Sequence, residues 1–286
     1  MTFNAENPFA APSTLEYELP DFTRIRDEHY LPAFYAGCEQ QLAEVQAILA
    51  SGEPTFENTI VALEKSGRTL GRMLNVFYNK SSADTSKVID EIEAEIAPKL
   101  AAHTDAIRLN PELFTRIEAL YEAKDTLGLD AESTWLIERY YRDFVHSGAK
   151  LSAETRAELM KLNERQSELE TLFGTNILND QNDLAVHVTA IEELDGLSDG
   201  EIAAAAAAAA NRGLEGWLID MVNYTGNPAL ASLTHRELRE KIMHNTVIKG
   251  ARDNANDNRP VLVELAKLRA KRANLLGHPT HAAYVL

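Results

Sequence analysis

Residues 110–128 read NPELFTRIEALYEAKDTLG, and the stretch spells a helix from end to end. Asn110 suits the N-cap, where its side-chain oxygen accepts a backbone N–H that has no partner inside the helix. Pro111 follows at the first helical position, where a missing N–H costs little and φ is already set. Gly128 supplies the left-handed stop. The next stretch, DAESTWLIERYYRDFVHSG at 130–148, repeats the pattern with Asp130 at one end and Gly148 at the other. Two fully punctuated helices in succession set the expectation for the rest of the chain.

Working outward, the same period recurs. Upstream, Tyr30, Phe34, Cys38, Leu42, Val45 and Leu49 fall on one face of a helix that Gly52 and Pro54 end. Pro32 lies in its first turn, where proline is tolerated. A second helix from near Thr55 carries Ile60, Leu63, Leu70, Leu74 and Phe77, with Gly67 and Gly71 four apart. Those glycines read either as a close helix–helix approach or as two tolerated weak points. A third, from about Asp84, carries Val88, Ile92, Ile96, Leu100 and Ile107, with Pro98 a kink site. Downstream, a longer helix from Ser152 runs through Leu159, Leu162, Leu169, Leu172, Phe173 and Ile177.

The period then changes. LAVHVTAI at 184–191 alternates like a strand, and GWLIDMVNYTG at 216–226 reads as its partner. Between them lies SDGEIAAAAAAAANRG, opened by a Ser198/Glu201 capping box and closed by Gly213. Thr234 and Glu237 suggest another capping box ahead of Leu238 and Ile242. A last long helix runs from Arg259 or Pro260 through Leu265, Leu268 and Leu275 to Gly277. The expected fold is mainly α: a multi-helix N-terminal lobe with a small two-stranded β element near residues 184–224. The expected organisation is an extended arm over 1–22, a helical domain over 23–182, and a part with the β element and further helices over 183–286.

Bulk properties exclude several functions. The net charge is −16, and a nucleic-acid partner would demand a basic stripe. The basic groups Arg236/Arg239/Lys241 and Lys267/Arg269/Lys271/Arg272 are interspersed with apolar residues, as solvated helix faces are. The single cysteine, Cys38, rules out an internal disulfide framework and reads as a core thiol. The first twenty residues have no basic start and no apolar core, unlike a secretory signal. Ala203–Ala210 is far too short to span a bilayer. A soluble, cytoplasmic protein is expected, without nucleic-acid or membrane partners.

Chemistry is harder to find. A helical zinc hydrolase site needs two histidines a turn apart, with a glutamate beside the first to activate water. None of the eight histidines is followed by glutamate, and no pair is spaced four apart. His278 and His281 are three apart, but Gly277 and Pro279 make the segment a turn into a new helix. His29 sits beside Asp27 and Glu28 and is read as part of a helix start. His103 is read as an interior or boundary residue. DNANDNRP at 253–260 gathers oxygen ligands, yet lacks the central glycine of a calcium loop and reads as a helix junction. The acids of IDEIEAEI at 89–96 flank an apolar stripe as solvated residues do. The catalytic, cofactor-binding and metal residues expected from this reading are none.

Several stretches together resemble the N-terminal part of the M3 family of zinc metallopeptidases, above all its peptidyl-dipeptidase branch, with the oligopeptidase A branch a near relative. They are NPF at 7–9, EHYLPAF at 28–34, TFENTIVALEKSG at 55–67, LNPELFTRI at 109–117, LGLDAES at 127–133, GAKLS at 148–152, NDNR at 256–259 and LLGHPTHAAYVL at 275–286. Their ordered succession carries the resemblance. It implies a mostly helical, two-lobed shell around a deep channel that admits short or unfolded peptides. It implies zinc, held in the full-length parent by an His-Glu-x-x-His helix and a downstream glutamate, with none in this portion. It also implies a missing C-terminal lobe as partner, and no catalysis by these residues alone. NYTGNP at 223–228 departs from the family's usual Thr-Thr-Gln-Gln-Pro-like stretch. A different class also fits the residues: a non-catalytic helical module that binds peptides or proteins.

Overall fold

The computed structural model describes residues 3–221 and 227–286 of the chain. Residues 222–226 of the strand partner expected at 216–226, and most of the departure at 223–228, lie outside the described residues. The helices are α1 (Tyr30–Leu49), α2 (Ala62–Lys65), α3 (Arg68–Ala83), α4 (Lys87–Arg108), α5 (Pro111–Ala123), α6 (Ala131–Ser147) and α7 (Ala153–Asp183). They continue with α8 (Asp199–Asn211), α9 (Ala229–Ser232), α10 (Arg236–Ile248), α11 (Arg259–Leu275) and α12 (His281–Val285). Strands β1 (Val186–Val188) and β2 (Trp217–Ile219) pair antiparallel, Val186 opposite Ile219 and Val188 opposite Trp217. The fold is mainly α with one small two-stranded element, as the periodicity predicts.

Local chemistry sets the boundaries. The Asn110 side chain accepts from the Leu113 N–H at 3.0 Å, and that of Asp130 from Ser133 at 2.7 Å. Gly148 ends α6 at φ +107°, a conformation that side chains disfavour. The Ser198/Glu201 box forms in both directions. The box expected at Thr234 and Glu237 does not form. His235 is the cap, its Nδ1 accepting from the Leu238 N–H at 3.2 Å, while Thr234 donates to the Asp195 carboxylate at 2.6 Å. The helix expected from Thr55 is also divided. Residues Phe56–Val61 wind as a π-helix, and Gly67, left-handed at φ +70°, separates α2 from α3. Arg116 clasps this stretch, donating to the Gly52 carbonyl at 2.5 Å, Ser51 Oγ at 2.9 Å and Asn58 Oδ1 at 3.0 Å.

Two compact units result: residues 1–168 with 267–286, and residues 169–266. The first holds two apolar clusters. Phe9, Tyr30, Phe34, Met73, Phe77, Ile89 and Ile96 form one, with Tyr30 edge-on to Phe77 at 5.2 Å between ring centres. Val45, Ile48, Ile60, Leu113, Ile117, Ile137 and Phe144 form the other. Each such side chain withdrawn from water contributes roughly 1.5–3 kcal/mol before entropy is counted. Helix α1 supplies both clusters, Tyr30 and Phe34 to one and Val45 and Ile48 to the other. Cys38 is half-buried against the first cluster, and burial pushes its thiol up to about 11.

The second unit is built on Leu184, Val186, Val188, Leu194, Ile219, Leu238 and Ile242. Its polar anchor is Asp180, fully buried. The carboxylate accepts from Arg252 Nη2 at 2.6 Å and from the Gly250 N–H at 2.7 Å, with Asn254 Nδ2 at 3.3 Å. The asparagine-rich run at 253–260 is therefore a junction between α10 and α11, folded around one buried charge. Burial alone would raise the Asp180 carboxyl, but the Arg252 guanidinium and the Gly250 N–H outweigh it and hold the group low.

The close backbone approach between α1 and α3 is made by Gly37, and Gly67 lies against the Gln41 side chain of α1, where a Cβ would stand 2.4 Å from Nε2; Gly71 is open. A Cβ at Gly37 would stand 2.9 Å from Leu70 Cα, whereas one at Gly71 meets nothing within 4 Å. Gly37→Ala is expected to destabilise the protein by roughly 1–3 kcal/mol through overpacking. Gly71→Ala is expected to stabilise it by roughly 0.5–1 kcal/mol through helix propensity. Urea unfolding of the two variants checks both signs.

Candidate functional site

Along the C-terminal half of α4 the first unit opens two adjoining cavities. One, about 340 Å3, is lined by Gly71, Leu74, His103, Tyr140 and Asp143 among others. The second, about 470 Å3, is lined by α3, α4, α6, α7, α11 and α12. Leu100, Thr104 and Arg108 border both. Their spacing of four along α4 puts them in one row, so the row forms the divide. The open face of Gly71 contributes to the first cavity.

The second cavity holds the more reactive set of groups. Asp105 is buried, and among the described residues its two carboxylate oxygens accept only from the Asn163 amide, at 3.0 and 2.9 Å. The Asn163 carbonyl oxygen accepts in turn from Arg272 Nε at 2.7 Å. The Arg272 guanidinium lies over the Tyr284 ring, 4.6 Å from its centre. His146 stacks on the same Tyr284 ring, 4.2 Å between ring centres, and its Nε2 lies 3.0 Å from the Tyr284 carbonyl oxygen. The Asp105 carboxyl is pushed up, chiefly by burial; the Asn163 amide and the nearby Arg272 charge oppose this without cancelling it.

The residues singled out in the sequence scatter. His29 Nδ1 accepts from the Arg26 N–H at 3.0 Å, which makes it part of the helix start. His103 is buried, with Nε2 2.8 Å from Gln41 Oε1, and burial lowers its basicity. Its Nδ1 is buried without a hydrogen-bond partner among the described residues. His278 Nδ1 lies 3.1 Å from the Ala283 carbonyl oxygen, closing the turn into α12. His281 lies beside Tyr284, 6.3 Å between ring centres. His278 and His281 thus share an aromatic cluster with His146 and Tyr284. Among the described residues, no three His, Cys, Asp or Glu side chains come together to hold a metal ion.

Asp105, Asn163 and Arg272 were not visible as a set. They come from three helices, and each sits beside an apolar stripe in its own sequence. The one available signal was an aspartate between His103 and Ile107, inside a stretch whose neighbours pack inward.

No family model matches the chain. Its curated relatives are peptidases of the oligopeptidase type. Dipeptidyl carboxypeptidase of Escherichia coli (strain K12) is 39% identical over 280 residues, 97% of this chain and 41% of the relative. The Salmonella typhimurium dipeptidyl carboxypeptidase is 36% identical over 280 residues. Oligopeptidase A of Escherichia coli (strain K12) is 26% identical over 281 residues, again 41% of the relative. The chain is a homologue of dipeptidyl carboxypeptidase and oligopeptidase A, and spans about two fifths of the length of these relatives.

The Asp105 environment gives a signed expectation. A raised carboxyl keeps its proton in the folded state at pH values where the unfolded chain, with an ordinary value of 3.8, has lost it. Stability contributed at this position is therefore present at low pH and falls as pH rises through the folded value. Asp105→Asn retains the hydrogen bond from Asn163 and removes the buried charge. It is expected to raise the unfolding temperature at pH 7, with the difference shrinking toward pH 4. Thermal unfolding across that pH series checks it.

Proposed function

We propose that this chain is the N-terminal, channel-wall and substrate-restricting part of a zinc-dependent oligopeptidase of the M3 family, of the peptidyl-dipeptidase type, acting on short or unfolded peptides. The observation that carries the reading is similarity over nearly the whole chain to dipeptidyl carboxypeptidase, combined with coverage of only 41% of that relative. The ordered stretches from NPF at 7–9 to LLGHPTHAAYVL at 275–286 support the same family.

The residues of this chain do not fit the zinc. The sequence contains no His-Glu-x-x-His, and His278 is held by a backbone carbonyl. The chain's own contribution is shape and charge. Rigid helices with buried aromatic anchors make a wall whose geometry limits what enters. The partner of this wall is the lobe that the relatives carry in their remaining length. No helix among the described residues is long and apolar enough to cross a membrane. A cytoplasmic enzyme without nucleic-acid or membrane partners is part of the proposal.

Residues 1–286, incubated with zinc and an internally quenched peptide, are expected to show no turnover above buffer. A longer reading frame that includes an His-Glu-x-x-His is expected to release dipeptides from peptide C-termini, and a chelator to abolish this. Zinc-dependent turnover by residues 1–286 alone would overturn the reading.

A further inference from the structure

A third cavity, about 470 Å3, lies between the N-terminal arm and α3. That volume falls within the roughly 300–1,000 Å3 of small-molecule sites. The arm is fixed near its start. Asn7 Nδ2 donates to the His29 carbonyl at 3.1 Å, and the buried Phe9 ring lies 5.6 Å from that of Tyr30. The arm then turns through Tyr17 and Glu18, both left-handed at φ +58° and +55°. Pro8, Pro12, Leu19, Pro20, Ile25 and Val76 give the cavity an apolar wall. Two guanidiniums border the same space, those of Arg24 and Arg72. Arg24 is exposed and Arg72 half-buried. Arg72 Nη2 donates to two neutral oxygens, the Phe9 carbonyl at 3.2 Å and Thr69 Oγ1 at 3.3 Å, and its Nε is buried with no partner among the described residues. Among the described residues neither guanidinium is paired with a carboxylate. A half-buried guanidinium in that state is short of acceptors and of a counter-charge.

We infer that this cavity binds a small organic monocarboxylate with an apolar body, its carboxylate accepting from Arg72 and Arg24 and its body lying on the proline-rich wall. The lining itself narrows the class. Asp21 and Glu18 also border the cavity. Asp21 is held by its own turn, accepting from the Thr23 N–H at 3.1 Å and the Thr23 hydroxyl at 2.5 Å, while Glu18 is exposed. These two carboxylates repel a multiply charged anion such as phosphate more than a singly charged one. A cation would face both guanidiniums, and a neutral molecule would leave Arg72 without its counter-charge. An α-amino acid would bring its ammonium against the guanidinium that serves its carboxylate. Arginine matches a carboxylate in shape as well as charge, through parallel N–H donors.

This inference uses the arm and α3 alone and is independent of the peptidase reading. Binding of 3-phenylpropanoate to the chain is measured by calorimetry at pH 7, where the acid is ionised. It is expected to bind. 3-Phenylpropanamide, which lacks the charge, acetate, which lacks the body, and phenylalanine, which adds the ammonium, are each expected to bind about tenfold more weakly or worse. Arg72→Gln is expected to erase the preference for acid over amide, and the exposed-site Arg24→Gln to reduce it. Near-ultraviolet circular dichroism verifies that each variant is folded. Should Arg72→Gln fail to fold, the acid-to-amide comparison on the unaltered chain and Arg24→Gln still decide. Chymotrypsin cleavage at the exposed Tyr17 and Phe22 is expected to slow when the acid is bound, since the ligand ties the arm to α3. No binding, equal binding of acid and amide, or cleavage unchanged at saturation overturns the site. Acetate, inorganic phosphate or phenylalanine binding as tightly as 3-phenylpropanoate overturns the ligand class.

Discussion

A carboxylate removed from water must receive hydrogens in return, and much of this structure is arranged around two aspartates that meet the demand differently. Asp180 collects a guanidinium, a backbone N–H and an asparagine amide, and its charge organises the junction of α10 and α11. Asp105 receives one amide, and its proton affinity rises. The contrast separates architecture from availability. A fully paired buried group is committed to the architecture, whereas a half-satisfied one keeps free acceptor capacity.

Much of the fold was legible because it is written locally. The caps at Asn110, Asp130 and Ser198 and the stop at Gly148 need only near neighbours, and each forms as its residue type dictates. The change of period at 184–191 likewise marked β1. Legibility failed where a distant partner decides. Thr234 is an apt cap by type, but the Asp195 carboxylate claims its hydroxyl and leaves His235 to cap the helix. The division of the helix after Lys65 depends on Gly67 adopting a left-handed turn, with its N–H given to Glu44 Oε2 at 2.7 Å. The role of Gly37 depends on Leu70, thirty-three positions on.

The candidate site was the least legible part for the same reason. Asp105, Asn163 and Arg272 belong to α4, α7 and α11, and no spacing rule links them. What could be read was negative: histidines without adjacent glutamates, and an acid-rich loop without a calcium loop's glycine. The resemblance to the M3 peptidases supplied what spacing could not, because it rests on the order of many short matches and not on a reactive motif. Similarity to dipeptidyl carboxypeptidase over 97% of the chain gives that order its weight.

Helix α1 has a consequence for how the first unit comes apart. Its N-terminal turns are embedded in one apolar cluster and its C-terminal turns in the other. Neither cluster can melt while the other keeps this helix intact without exposing one end of it to solvent. Local opening is thereby suppressed in favour of a single concerted transition, and the amide protons of Phe34 and Ile48, about 21 Å apart on an ideal helix, should exchange with a common free energy as one foldon.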